Sequence, residues 1–233
     1  MSLVDIVFRT AQLWPDRLAM RDRSIERTWG DVLDRSRRLA TALNGLPAPS
    51  GRVAILGQNG PGFLEAMFAA AIAGRELVPL NSRLAIGEML EVAGACRCSI
   101  LCFDQAHAAA AEALCAGMRC TGVYLGGPYQ PPAWAKSAEQ LIHGSVAADP
   151  PVIDGESIWA ILPTGGTTGK PKGVMLSHRA LSTTVKDLVR DLDLGGAPRL
   201  LNVAPLFHMA GLSLALGVTT VGGSHGFLPV FGM

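Results

Sequence analysis

"RVAILGQNGPGFLEAMFAAAIAGRELVPL", residues 52–80, decides the fold. Its first part, "RVAILG" (52–57), is a short apolar run that suits a buried strand. Gly60 and Pro61 then open a helix, since the N–H that proline lacks would have no partner at a first helical position. Apolar residues recur at Phe63, Leu64, Met67, Phe68, Ala71 and Ile72, and Gly74 closes the helix. "ELVPL" (76–80) reads as a second strand. A strand, a helix and a strand in this order form the unit of a parallel sheet with helices on its faces.

The alternation continues. Residues 86–95 read as a helix, 98–103 as a strand, 106–117 as an alanine-rich helix and 121–126 as a strand. A proline-rich connection, 127–151, interrupts the rhythm. Strands at 157–163 and 173–177 follow, then a helix capped by Ser177 with the stripe Leu181, Val185, Leu188, Val189 and Leu192. A strand over 199–205, a helix over 208–218 and the start of a strand in "FLPVFGM" complete the chain. The expected fold is α/β, with mainly parallel sheet layers flanked by helices. Upstream, Trp29, Val32, Leu33, Leu39, Ala40 and Leu43 share one helix face. Arg35, Arg37 and Arg38 follow a first arginine cluster (Arg21, Arg23, Arg27) and are expected on the opposite, solvated face.

The 233 residues are 49% apolar and only 17% charged, which reads as a core-rich globular chain of one large domain or at most two small ones. A mean hydropathy of +0.30 points to a surface that wants a partner, or to a piece of something larger. The net charge of +1 gives no electrostatic case for nucleic acid. "MSLVDIVFRT" does not read as a signal peptide, and no uncharged apolar run reaches the ~18 residues of a membrane span, so a cytoplasmic protein is expected. The cysteines Cys96, Cys98, Cys102, Cys115 and Cys120 lack the C-x2-C spacing of a zinc site and read as buried free thiols.

"TGGTTGKPKGV" (164–174) is the most unusual stretch, with four glycines, three threonines and two lysines in eleven residues. A polyphosphate needs many donors at close range. Glycines let backbone N–H groups approach phosphate oxygens, Thr164, Thr167 and Thr168 add hydroxyls, and Lys170 and Lys172 add charge. The competing reading is a plain hairpin turn. A Walker A loop does not fit: Gly165 and Gly169 enclose three residues rather than four, and Pro171 follows Lys170. "GGSHG" (222–226) matches a hydrolase nucleophile elbow, but no Asp or Glu follows Ser224.

The loop closely resembles the phosphate-binding signature T-S-G-T-T-G-x-P-K-G-V of the AMP-forming adenylate superfamily, which includes acyl-CoA synthetases, luciferases and peptide-synthetase adenylation domains. Gly165 stands where Ser is usual, and Lys172 falls on the signature lysine. "VAPLFHMAGL" (203–212), "VAILGQNGPGFLEAMFAAAIAGRELVPLNSRL" (53–84) and "PDRLAMRDRSIERTWGDVLDRSRRLATAL" (15–43) resemble further family segments in the right order. The resemblance implies ATP-dependent activation of a carboxylic acid to an acyl-adenylate and then an acyl-CoA. A fatty or aryl acid, ATP and CoA would be the small-molecule partners. It assigns phosphate contacts to Thr164, Gly165, Gly166, Thr167, Thr168, Gly169 and Lys172. It gives a catalytic role to Lys172, and to His208 at the acyl–adenylate junction.

Members of that family are more than twice this length, so residues 1–233 correspond to the first part of the large N-terminal AMP-binding domain. The Y-G-x-T-E-like stretch with its Mg2+-binding glutamate, the ribose-binding aspartate and the small C-terminal domain with its lysine are not found in the sequence. Gly232 stands where the family has Asp. The chain by itself is therefore expected to be inactive as a ligase and to self-associate through an incomplete sheet. The alternative is a non-enzymatic remnant, or half of a split protein, that binds nucleotide weakly or pairs with a partner chain.

Overall fold

The computed structural model describes residues 2–23, 25–48, 51–126, 130–147, 149, 152–164 and 172–228, and of Thr164 only the backbone. The expected strand in "FLPVFGM" falls largely outside them.

A seven-stranded sheet is built from β3 (Arg52–Leu56), β4 (Glu76–Pro79), β5 (Ile100–Phe103), β6 (Thr121–Tyr124), β7 (Lys136–Ser137), β8 (Ile158–Thr164) and β9 (Lys172–Ser177). Their spatial order is β7-β6-β5-β3-β4-β8-β9. Every neighbouring pair is parallel except β8 and β9. A second sheet holds β1 (Leu18–Asp22), β2 (Ile25–Thr28), β10 (Arg199–Leu201) and β11 (Ser224–Gly226) in the order β10-β11-β1-β2. The helices are α1 (Leu3–Leu13), α2 (Trp29–Asn44), α3 (Pro61–Ile72), α4 (Ile86–Ala95), α5 (Ala108–Met118), α6 (Ala138–His143), α7 (His178–Asp191) and α8 (Met209–Thr220).

Strand alternation sorts the core. Val53 and Ile55 of β3 face one cluster, which holds α1, α2, α3 and α8. Ala54 and Leu56 face the other, where Met89 and Val92 of α4 and Leu114 of α5 cover the opposite side of the sheet. Both faces of β3 are thus buried, which is why it reads as one apolar run rather than an alternation. Helix α3 is buried at every position but Gly62 because it lies between layers, touching α2, α1, β3, β4 and β1. Capping follows local chemistry: Ser2 and Thr28 make capping boxes with Asp5 and Asp31, and Ser177 accepts from the Ala180 N–H.

Two sequence expectations are corrected. The arginine face of α2 is not solvated throughout. Arg35 and Arg27 (side chains 14% and 17% exposed) enclose Glu65, whose side chain is 4% exposed. Arg35 Nε and Nη2 donate to the two Glu65 oxygens at 2.9 and 3.1 Å, and Nη1 and Nη2 donate to Glu139 at 3.0 and 2.5 Å. Arg27 Nε lies 3.0 Å from Glu65 Oε1. Burial raises the Glu65 pKa, against the pull of both arginines. Burial also works to lower the Arg35 pKa, but hydrogen bonds to Glu139 and Glu65 outweigh it and hold the value above the ordinary one. These four residues come from four elements or their flanks, so no local pattern reveals the cluster. Arg37 and Arg38 do reach outward carboxylates, Asp149 and Asp34.

The second correction is the strand expected over 199–205, which ends at Leu201. The backbone beyond it is captured by a distant side chain. Asn59 Nδ2 donates to the carbonyls of Asn202 and Ala204, both at 2.8 Å, and Asn59 Oδ1 accepts from the Leu206 N–H at 2.9 Å.

Candidate functional site

Strands β8 and β9 form an antiparallel hairpin in which Leu162 pairs with Val174, Pro163 with Gly173 and Thr164 with Lys172. Thr164 and Lys172 therefore face each other across the last rung and bracket residues 165–171. Since β8 also runs parallel to β4 (Leu77 opposite Ala160), Thr164 ends at the carboxyl edge of the parallel strands, where α/β folds hold ligands. Gly165, Gly166, Thr167, Thr168 and Gly169, to which sequence assigns phosphate contacts, lie outside the described residues, as do Lys170 and Pro171. Lys172 is exposed and lines a pocket of about 180 Å3 with Arg52, Val92 and Cys96.

His208 sits at the N-cap of α8, with extended backbone (φ −107°, ψ 148°). Its N–H donates to Pro205 O and its carbonyl accepts from the Leu212 N–H, both at 3.0 Å. The imidazole is exposed and rests beside the Phe207 ring, with centroids 4.5 Å apart. Leu212, Ala215, Leu216 and Val218 bury α8, so His208 stands on a fixed base. Gly211 lets that helix approach the loop: a Cβ there would lie 2.4 Å from Pro205 O and 2.8 Å from Ala204 O. Replacement of Gly211 by Ala should therefore push residues 204–208 aside and cost about 1–3 kcal/mol. Urea denaturation would measure the loss, and an unchanged midpoint would contradict the close approach.

Lys172 belongs to the seven-stranded sheet, and His208 follows a strand of the four-stranded one. A cavity of about 490 Å3 opens beside the loops that follow β3, β5 and β6, lined by Gly57, Asn59, Asp104 and Leu125 and by the Arg35–Glu139 pair. It lies between β3 and β5, whose onward connections to β4 and to β6 leave in opposite directions, the topological switch point of the sheet. Neither His208 nor Lys172 lines it. Among the described residues no group of three or more His, Cys, Asp or Glu side chains could hold a metal ion.

The hydrolase-elbow reading is answered by placement. Ser224 lies within β11, opposite Arg199, rather than on a strand-to-helix turn. Its neighbour His225 is 1% exposed, with Nε2 3.1 Å from Thr219 Oγ1 and Nδ1 3.4 Å from Asn202 Nδ2. Thr219 Oγ1 donates to Ala215 O (2.9 Å), so it accepts from His225 Nε2–H, and Asn202 donates to Nδ1. A neutral, structural imidazole results. Cys98, Cys102 and Cys115 are buried, and Cys96 and Cys120 are half-buried, all as free thiols. No helix among the described residues is long and apolar enough to cross a membrane.

With this geometry in place, the comparisons with known proteins agree on a family. The chain belongs to the AMP-binding enzyme family, whose model matches residues 7–232. It is 34% identical over 212 residues to a feruloyl-CoA synthase of an Amycolatopsis species, a match covering 88% of this chain and 39% of that protein. It is 33% identical over 231 residues to an indoleacetate–CoA ligase of Aromatoleum aromaticum, covering 95% of this chain and 45% of that protein. Among solved structures, apo MatB from Rhodopseudomonas palustris superposes with a TM-score of 0.83 at 26% identity, over 100% of this chain and 46% of that one. The anthranilate CoA ligase AuaEII bound to anthranoyl-AMP gives a TM-score of 0.87 at 22% identity, covering 99% of this chain and 45% of that one, a likeness of fold. The chain thus spans less than half the length of these curated relatives.

Proposed function

We propose that residues 1–233 form the front part of the AMP-binding domain of an acid–thiol ligase that converts a carboxylic acid to its acyl-CoA through an acyl-adenylate. The observation that carries this reading is the pairing of Thr164 with Lys172, which closes the signature loop at the carboxyl edge of the parallel strands. In the first step a carboxylate oxygen attacks the α-phosphorus of ATP, and the bond to pyrophosphate breaks. Two anions must meet, so the chain's task is to screen charge. Loop amides and threonine hydroxyls would grip the β- and γ-phosphates, with the Lys172 ammonium beside them. His208 would donate one hydrogen bond at the acyl–adenylate junction without adding negative charge. In the second step the CoA thiol attacks the acyl carbon and AMP leaves. The relatives include aryl and long-chain fatty acid ligases, which favours an aromatic or fatty acid substrate.

Carboxylate-dependent ATP–pyrophosphate exchange, run with aryl and long-chain acids on the product of the reading frame that carries this chain, tests the proposal. Lys172→Ala and His208→Ala are each expected to lower the exchange rate about 100-fold. Wild-type exchange in both variants would sink the assignment. A second reading has its own support: Val174 and Met175 on β9, and Leu201 and Val203 at and beyond β10, are 46–64% exposed along outer strands of the two sheets. Such edges suit self-association, or pairing of a non-enzymatic half with a partner chain. ATP binding without exchange in any preparation would favour it.

A further inference from the structure

The residues assigned to the reaction stand on two different sheets, and something must fix one sheet against the other at the level of the site. Asn59 follows β3 of the seven-stranded sheet and comes just before Gly60, the N-cap of α3. Both donors and one acceptor position of its carboxamide are used on a single stretch, residues 202–206, more than 140 positions away. That stretch leaves β10 of the four-stranded sheet and leads directly to His208, whose own N–H closes on Pro205 O. Gly211 also packs closely on this stretch, against the Ala204 and Pro205 carbonyls. The loop under His208 is thus hydrogen-bonded by a carboxamide and closely approached by a residue without a side chain.

We propose that Asn59 is a positioning residue that seats the His208 loop of one sheet against the sheet carrying the phosphate-gripping hairpin. The proposal rests on the reading that His208 touches the acyl–adenylate. The chemistry selects Asn: two N–H donors meet two carbonyls while the oxygen meets an N–H. Asp has the same shape but offers no donor, and it would set a carboxylate oxygen against two carbonyl oxygens. A loop freed in this way would let the imidazole drift, and a shift near 1 Å is enough to cost about 100-fold in rate.

The experiment compares Asn59→Asp, His208→Ala and the double variant in the exchange assay, on the product of the full reading frame. Asn59→Asp is expected to lower kcat by about 10- to 100-fold and to leave the KM for ATP within a factor of about two. The double variant is expected to be no slower than His208→Ala alone, since the two changes act through one group. Amide exchange at Leu206 should quicken in Asn59→Asp. If Asn59→Asp does not fold, Asn59→Ser, with a single shorter donor, replaces it in the same comparison. A lower melting temperature with kcat unchanged, or effects that multiply in the double variant, would overturn the positioning role. A normal rate in His208→Ala would instead remove the reading on which the proposal rests. An impaired His208→Ala beside a normal Asn59→Asp would remove only the proposal.

Discussion

Replacement of Arg35 by methionine is expected to destabilise the fold by about 3–5 kcal/mol. The reason is the partner left behind. Glu65 lies on α3, which is enclosed between layers, and its side chain is 4% exposed. In the native fold Arg35 gives it two hydrogen bonds while also holding Glu139, and Arg27 adds a third contact at 3.0 Å. Without Arg35 the carboxylate keeps only Arg27, and it must either stay charged in a poor environment or take up a proton. Removing both charges is far less harmful than removing one, because the uncompensated ion is what costs. The double variant Arg35→Met with Glu65→Gln should therefore recover part of the loss. Urea denaturation of the two variants measures it. A loss below about 1 kcal/mol, the value of an exposed pair, would mean that the cluster is solvated after all.

The second large effect is with pH. His225 is 1% exposed and His178 is 3% exposed. Burial lowers both to about 4, with Asp5 partly opposing the shift at His178. Hydrogen bonding works in the same direction. His178 Nδ1 accepts the Leu3 N–H at the start of α1, 3.3 Å away, so a proton on that nitrogen would break the bond and set a positive charge on a helix N-terminus. His225 Nδ1 accepts from Asn202 in the same way. Because the folded values lie below the unfolded ~6.5, the unfolded chain binds more protons between pH 6.5 and 4, and stability falls as pH falls through that window. Between pH 7 and 5, above most carboxylate titration, each histidine should remove about 2 kcal/mol. His225→Gln should flatten part of the slope in denaturation curves taken across that range. A midpoint constant from pH 7 to 5 would contradict the neutral, buried assignment of both rings.

Much of the architecture was legible because it is periodic. The 52–80 unit, the alanine-rich helix and the Ser177-capped helix depend on spacing that any window of the chain displays, and each lies within a residue or two of where the pattern sets it. The short pieces were not legible. Strand β7 has two residues and α6 has six, both inside a segment read as a proline-rich connection, and pairing with β6 and packing on α2 sustain them rather than their own sequence. The second sheet was invisible as a sheet, since β1 pairs with β11 across 205 positions in the register Met20 to His225.

The same division runs through the site. Sequence alone pointed to the family, through the resemblance of residues 164–174 and three further collinear segments to its members. It also gave the order of the longer strands and helices from residue 52 onward, because hydrophobic period and capping are local properties. The tertiary structure alone decided that Arg35 is a buried tie rather than a surface charge, that the strand after Arg199 stops at Leu201, and that His225 is structural while His208 is exposed. The polar outcomes are set by partners on other elements: Glu65 on α3 for Arg35, Asn59 before α3 for the backbone of 202–206, and Thr219 on α8 with Asn202 after β10 for His225. A polar group's role depends on which partner satisfies it once water is gone, and that choice is made by packing, not by neighbours in sequence.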